Sequence, residues 1–178
     1  VSDEPWLNRT HAEELMVLAL TARQVLRRGA DYVLDWNERH PRKPMIDGDR
    51  LLIGGPQDVM TSRLLRWMRA EAKRILEAET REIAGGANIT VAEVSVGDPR
   101  SRWGSCSSNG NIRYSWRLIL TPDHVRRATV AHEVAHRVHM DHSRAFHRLV
   151  AELHGEDPKA ARAWLRTHGS RLHWFGRD

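Results

Sequence analysis

The chain has 178 residues and a net charge of +5, and it is long enough to form one domain with its own hydrophobic core. It contains no run of 18 apolar residues, which excludes an ordinary membrane-spanning helix. The polar N-terminal stretch does not resemble a signal peptide, and the single cysteine, Cys106, excludes an internal disulfide. These features favour a cytoplasmic location.

The basic charge raises the question of a nucleic-acid partner. Arginine outnumbers lysine by 25 to 3, and the arginines are spread along the chain instead of forming one cluster. A spread of this kind is typical of a compositional bias, and no known nucleic-acid-binding motif accompanies it. Nucleic acid is therefore a possible but weakly supported partner, and the oligomeric state is not predicted.

Residues 1–57 are predicted to form an N-terminal helical segment, either a reduced lobe or a separate one. A capping box at 10–13 begins an apolar helical pattern that continues to residue 28, and residues 31–38 favour a second helix. Residues 40–50 are rich in proline, glycine and charge, which is typical of a loop. Only residues 51–54 and their neighbours suggest a strand.

Residues 58–178 are predicted to form the second part of the chain. A long amphipathic helix is expected over 58–83, ended by Gly85 and Gly86. Residues 89–96 alternate in a way that favours a strand with a bulge. The stretches 102–107 and 112–119 favour a hairpin, because an Asn-Gly pair lies between them.

The stretch 129–147 carries an HExxH string at 132–136. Residues four apart on a helix lie on one face, so His132 and His136 can direct two imidazole nitrogens to one zinc ion. Glu133 is then placed to act on a water at that ion. The composition alone gives such a string by chance in roughly 4% of chains, but the apolar helical period around it favours a helix. A buried amphipathic helix with solvated histidines is the alternative.

A catalytic zinc site normally has a third protein ligand and one open position. His139 lies about 10 Å along a straight helix from His132, which is too far for both to bind one ion. A turn at 140–142 would bring His142 back, because Ser143 is a favourable N-cap for a new helix. His142 is therefore the predicted third ligand, and His139 is the alternative.

Two further helices are expected after this site. One runs from Ser143 to Leu153, and its apolar positions include Phe146. The last begins at Asp157 and Pro158 and ends at Gly169. The expected architecture is thus an α+β fold in which a small antiparallel sheet or hairpin packs on the HExxH helix, with additional helices before and after.

The motifs of the C-terminal part resemble those of the YgjP-like metallopeptidase domain family, which is related to the SprT-like and WLM zinc metalloproteases. The resemblance covers roughly residues 60–175 and depends on the RWGSCSS string at 102–108, the HEVAH string at 132–136 and the His-Ser pair at 142–143. It implies a zincin-type, gluzincin-like fold and a zinc metallopeptidase. The zinc would lie on His132, His136 and His142, with Glu133 as the catalytic glutamate. The family usually has a strand-rich N-terminal part, which the helical pattern of residues 11–39 does not show.

Four further residues are near-site candidates: Arg102, Trp103, Tyr114 and His139. One of Arg102, Tyr114, His139 and His147 is expected to stabilise the oxyanion, while Trp103 is expected to pack in the core. The expected partner is a peptide or protein substrate. A non-catalytic zinc protein, or a protease that acts on DNA-bound proteins, is the alternative.

Overall fold

The computed structural model describes residues 33–176, and contacts divide the chain into two units, residues 1–67 and 68–178. The division falls within a long helix, α1, which spans Met60–Gly86. The domain boundary expected at residue 57 stays a prediction. The helix expected over 11–28 lies outside the described residues. Within the described residues, no helix is both long and apolar enough to cross a membrane.

The described part of the first unit contains a small sheet. Its strands are β1 (Val33–Trp36), β2 (Met45–Asp47) and β3 (Arg50–Ile53), in the order β1-β3-β2. β1 is parallel to β3 and β2 is antiparallel to it. The helix predicted over 31–38 is therefore wrong, and residues 33–53 are not part of a helical segment. The strand suggested at 51–54 is confirmed as β3, whereas β2 lies within the stretch 40–50 that was expected to be a loop.

The second unit is an α+β structure around a mixed sheet. Its strands are β4 (Glu93–Gly97), β5 (Gly104–Cys106) and β6 (Asn111–Ser115), in the order β4-β6-β5. β5 and β6 form the predicted antiparallel hairpin, whose turn has Gly110 in the left-handed conformation (φ 89°). β4 pairs with β6 in parallel, so the expectation of a purely antiparallel sheet is wrong.

The stretch after β6 differs from the predicted strand. Residues Trp116–Leu120 form a 3-10 helix in which every residue is buried. The hydroxyl of Ser115 accepts a hydrogen bond from the backbone N–H of Arg117 at 3.4 Å, which caps this turn. The strand expected over 112–119 therefore ends at Ser115. A buried, largely apolar run is consistent with either a strand or a helix, so the sequence pattern did not distinguish the two here.

Three helices follow the sheet: α2 (Asp123–Ala135), α3 (Arg144–His154) and α4 (Lys159–Trp174). The N-cap of α2 is Pro122, and the hydroxyl of Thr121 before it donates to the carbonyl of Leu118 at 2.8 Å. Ser143 caps α3 as predicted, since its hydroxyl accepts from the N–H of Phe146. The predicted end of α4 at Gly169 is wrong, because the helix continues to Trp174.

A buried ion pair joins α2 to α1 within the second unit. Arg126 donates two hydrogen bonds to Glu79, at 3.0 and 2.8 Å, and a third to Asp123 at 2.8 Å. A neighbouring pair, Arg127 with Glu82, joins the same two helices at the surface. The buried pair fixes the helix that carries the HExxH string.

These two pairs predict different losses of stability. Glu79→Ala should lower the free energy of unfolding by about 3 kcal/mol, because a buried guanidinium then loses one of its two carboxylates. Glu82→Ala should lower it by less than about 1 kcal/mol, because its pair is exposed to solvent. Urea denaturation of both variants is the measurement, and equal losses would contradict the assigned role of the buried pair.

Candidate metal centre

Three histidines converge beside the end of α2. His132 lies in its last turn, His136 is its C-cap, and His142 lies just before α3. One ring nitrogen from each lies within 4.8 Å of the others, and no further histidine, cysteine, aspartate or glutamate of residues 33–176 joins this group. The structure therefore brings together the three side chains that the sequence singled out, while the rings of His139 and His147 and the thiol of Cys106 lie outside the group.

The spacing of these nitrogens fits a metal ion. The Nε2 atoms of His132 and His142 are 3.4 Å apart. Two ligands of one tetrahedral ion at about 2.0–2.1 Å would be about 3.3–3.4 Å apart, which agrees with this distance. This pair of imidazoles therefore fits a single ion, and a ring nitrogen of His136 lies within 4.8 Å of both.

The turn that returns His142 to the site begins earlier than expected. α2 ends at Ala135, and its C-cap His136 still has helical backbone angles. The N–H groups of Val138 and His139 both bond to the carbonyl of Ala135, at 3.0 Å each, which closes the helix with a tight turn. The chain has therefore left the helix axis before residue 140, and this geometry separates the ring of His139 from the site.

His139 nevertheless contributes its backbone to the site. Its carbonyl lies 3.0 Å from Nδ1 of His136, in position to accept a hydrogen bond from that nitrogen. Such a bond puts the ring proton on Nδ1 and leaves Nε2 free as a ligand, as is usual for metal-binding histidines. His139 thus orients the neighbouring imidazole.

A buried phenyl ring packs against all three imidazoles. The ring of Phe146 stacks on His136 at 4.6 Å and meets the rings of His132 and His142 edge to face at 4.9 Å each. Phe146 also belongs to a core cluster with Ala131, Ala135 and Val150. The sequence predicted an apolar position here but not this contact, because the return of the chain at 137–142 is what brings α3 under the histidines.

Burial sets the protonation of the site. It lowers the pKa of His132 to about 4, and the neighbouring His136 and His142 add to this effect. Burial also lowers the pKa of His136, against the opposing effect of the hydrogen bond to His139. The neutral imidazole is the form that binds metals, so these two residues are held in the binding form near neutral pH.

Glu133 follows His132 in α2, and its side chain is buried. Glu133 is only 5% exposed to solvent, and its Oε2 atom has no hydrogen-bond partner among the described residues. Burial raises the pKa of this carboxyl to about 7, while the positive charge of Arg102 opposes the shift. An unpartnered carboxylate oxygen at such a place is free to accept a proton from a water or substrate.

The other near-site candidates differ in their surroundings. Arg102 is exposed and close enough to act on Glu133 electrostatically. Tyr114 is fully buried, and its hydroxyl lies 3.0 Å from that of Thr80, which itself donates to a backbone carbonyl. Since Thr80 has only one proton, Tyr114 must donate to it, which makes this tyrosine a poor candidate for oxyanion stabilisation.

Trp103 is half-buried and packs against α4. Its ring lies 4.3 Å from that of His173 in α4, and Gly169 of the same helix leaves room for it. Its carbonyl accepts a hydrogen bond from the N–H of Ser115 at 2.8 Å. Trp103 therefore has a packing role, as expected, but its partner is α4 and its side chain is not fully buried in the core.

Arg137, the residue after the HExxH string, forms hydrogen bonds to two other segments of the same chain. Its guanidinium donates to the carbonyl of Thr90 at 3.0 Å and to that of Ser108 at 3.1 Å. Ser108 belongs to the β5–β6 turn, so this side chain fixes the hairpin relative to the metal-binding helix. The sequence gave no signal for this role, because arginine is common throughout the chain.

Comparisons with known proteins agree with this arrangement. Searches of curated proteins and of solved structures each found no significant match. A family model, however, matches residues 7–168, which is most of the chain and extends further toward the N-terminus than the resemblance seen in the motifs. With a histidine group of the kind that holds a metal, and with this match over its length, the chain belongs to the YgjP-like metallopeptidase domain family.

Proposed function

We propose that this chain is a zinc-dependent peptidase in which His132, His136 and His142 bind the metal and Glu133 is the general base. The observation that carries the proposal is the convergence of three imidazoles, and the residue after the first of them has a buried carboxylate with an unpartnered oxygen. The membership of a metallopeptidase family supports the reaction class.

Zinc is the metal that this set of ligands favours. Imidazole suits zinc, copper, iron and nickel, and three histidines with one open position form a known type of catalytic zinc site. The hydrogen bond between His136 and the carbonyl of His139 is an outer contact of the kind that such sites use. A bound zinc ion would polarise the substrate carbonyl and make water a better nucleophile near neutral pH.

Glu133 would perform the proton transfers. Its carboxylate accepts a proton from the attacking water and later gives that proton to the leaving amine. Burial excludes bulk water from this carboxylate, and the Oε2 atom without a partner leaves it free to act. Arg102, His139 and His147 stay candidates for the donor that stabilises the oxyanion.

The edge of the mixed sheet offers a place for the substrate. β5 is the outer strand of the order β4-β6-β5, and it lies against α2. An extended peptide can add to an exposed strand edge through backbone hydrogen bonds. Pairing with β5 would bring a scissile bond near Glu133, because Gly104 of β5 lies against that side chain. A peptide substrate would therefore fit the proposed zincin-like arrangement.

A structural zinc site is the main rival, and the ligand group argues against it. Structural zinc sites are closed by four protein ligands, whereas only three side chains meet here among the described residues. Cys106, the obvious fourth ligand, lies outside the group.

Metal analysis combined with a cleavage assay tests the proposal. The purified protein is expected to contain a single zinc ion per chain, to cleave a casein-type substrate, and to lose cleavage with a chelator and regain it with added zinc. Tightly bound zinc together with no cleavage of any substrate would favour the structural alternative. Cleavage that requires single-stranded DNA and weakens with salt would instead favour a DNA-linked protease.

A further inference from the structure

Gly104, the first residue of β5, lies against the side chain of Glu133. A Cβ atom built on Gly104 would be 2.4 Å from Oε1 of Glu133 and 2.7 Å from both its Cδ and Cγ. Real Cβ atoms essentially never approach other atoms below 3.0 Å. We propose that Gly104 is a positioning residue: because it has no side chain, it leaves the space that the Glu133 side chain occupies. This inference rests on the proposed function of Glu133.

The backbone conformation does not explain the glycine. Five other glycines have a positive φ, as glycine-dependent turns require, but Gly104 is not among them. It has extended geometry within a paired strand, opposite Tyr114. An alanine could adopt this backbone, so the steric demand of Glu133 is the reason for a residue without Cβ.

The surroundings leave the carboxylate little room to move elsewhere. Tyr114 shares a sheet face with Gly104 because the two are directly paired, and Cys106, two residues along β5, lies on the same face. Tyr114 is fully buried and its hydroxyl is bonded to Thr80. A methyl group at position 104 would therefore displace the Glu133 carboxylate from its present place, since the neighbouring ring is fixed.

The consequence for catalysis differs from that for metal binding. The three heavy atoms nearest to a Cβ at position 104 all belong to Glu133, and none belongs to a histidine. Gly104→Ala should therefore keep zinc at the parent level and lower kcat by about 100-fold or more, because misplacing a catalytic group by 1 Å has effects of this size. KM should change little, since the substrate would still bind the edge of β5.

Gly97→Ala is a matched control in the same sheet. A Cβ atom on Gly97 would lie 2.4 Å from the Nε atom of Arg113, an exposed side chain that can move aside. This variant should keep the parent kcat. Equal activity of the Gly104→Ala and parent enzymes would overturn the inference, as would loss of zinc in proportion to the loss of activity.

A stability cycle tests the same contact without any assay of activity. Gly104→Ala should lower Tm in the parent background, where the methyl group meets Glu133. In a Glu133→Ala background the same change should leave Tm unchanged or raise it, because the space is vacant and alanine is better than glycine in a strand. Equal decreases in both backgrounds would show that the two residues are not coupled and would refute the inference. A coupled cycle in a protein without peptidase activity would support the contact and refute the proposed function.

Discussion

Replacing His142 with alanine is expected to abolish tight zinc binding and, with it, peptide cleavage. In this structure His142 provides one of three ring nitrogens, and its Nε2 lies 3.4 Å from that of His132. Without it only two imidazoles of the group are left, both from the HExxH string. We expect zinc affinity to fall by well over 100-fold, because outer contacts of ligands alone contribute about 10–100-fold.

His139→Ala is the control, since His139 is the alternative third ligand. Its ring lies outside the group, and its contact with the site is made by the backbone carbonyl, which alanine retains. This variant should therefore bind zinc and cleave substrate almost as the parent does. Competition with a chromogenic chelator measures both affinities. Retention of zinc in His142→Ala together with its loss in His139→Ala would reverse the assignment of the third ligand.

The choice between these two histidines shows what local sequence can establish. The distance along a helix excluded His139, and the N-cap preference of Ser143 indicated where a new helix begins. Both arguments use contacts within a few residues. The ring of His139 does lie outside the group, although α2 ends before residue 139 and does not run straight past it as that argument assumed. The early end of α2 at Ala135 was not foreseen, because no glycine or proline marks it.

Elements formed by local periodicity were predicted most closely. The long helix expected over 58–83 is α1 at Met60–Gly86, and the hairpin around the Asn-Gly pair is β5 and β6. After the C-terminal end of α1, Asn88 has the left-handed conformation (φ 55°). The sequence pattern had placed the helix end at Gly85 and Gly86, but neither of these glycines has a positive φ. Boundaries are the part that such patterns determine least well.

Elements that depend on distant residues could not be predicted in this way. β1 is held by parallel pairing with β3, across a connection that a local pattern does not encode. The alternation at 89–96 predicted the strand β4 but not its parallel pairing with β6. The pattern around Leu34 and Trp36 therefore favoured a helix although the residues form a strand. Gly169 was read as a helix end, whereas it is a packing site for Trp103.

The candidate site likewise contains residues that local sequence identified and residues that only the tertiary structure revealed. The proposed ligands and base were recognised because they lie within the short stretch 132–142, whereas Phe146, Arg137 and Gly104 make contacts across the fold. Phe146 packs on three imidazoles only after the chain has turned back at residues 137–142. The motif thus specifies the chemistry, and the tertiary packing specifies how firmly each group is held.

Glu133→Gln is expected to keep zinc and to lower kcat by about 10²- to 10⁴-fold, the range that general base catalysis contributes. Glutamine has nearly the shape of glutamate, so it should fit the space beside Gly104, but it cannot accept and return a proton as the carboxylate does. Stability should not fall, because Oε2 of Glu133 is buried without a partner among the described residues and a neutral amide avoids the burial of a charge.

The measurement combines three readouts on one preparation: zinc content, Tm and the rate of cleavage of a casein-type substrate. Glu93→Gln, which makes the same chemical change at an exposed position of β4, is the control and should match the parent in all three. Cleavage at the parent rate by Glu133→Gln would exclude this residue as the base. Loss of zinc from the same variant would instead show that the carboxylate supports the metal site, because the glutamine differs from the parent residue only in charge and in one atom.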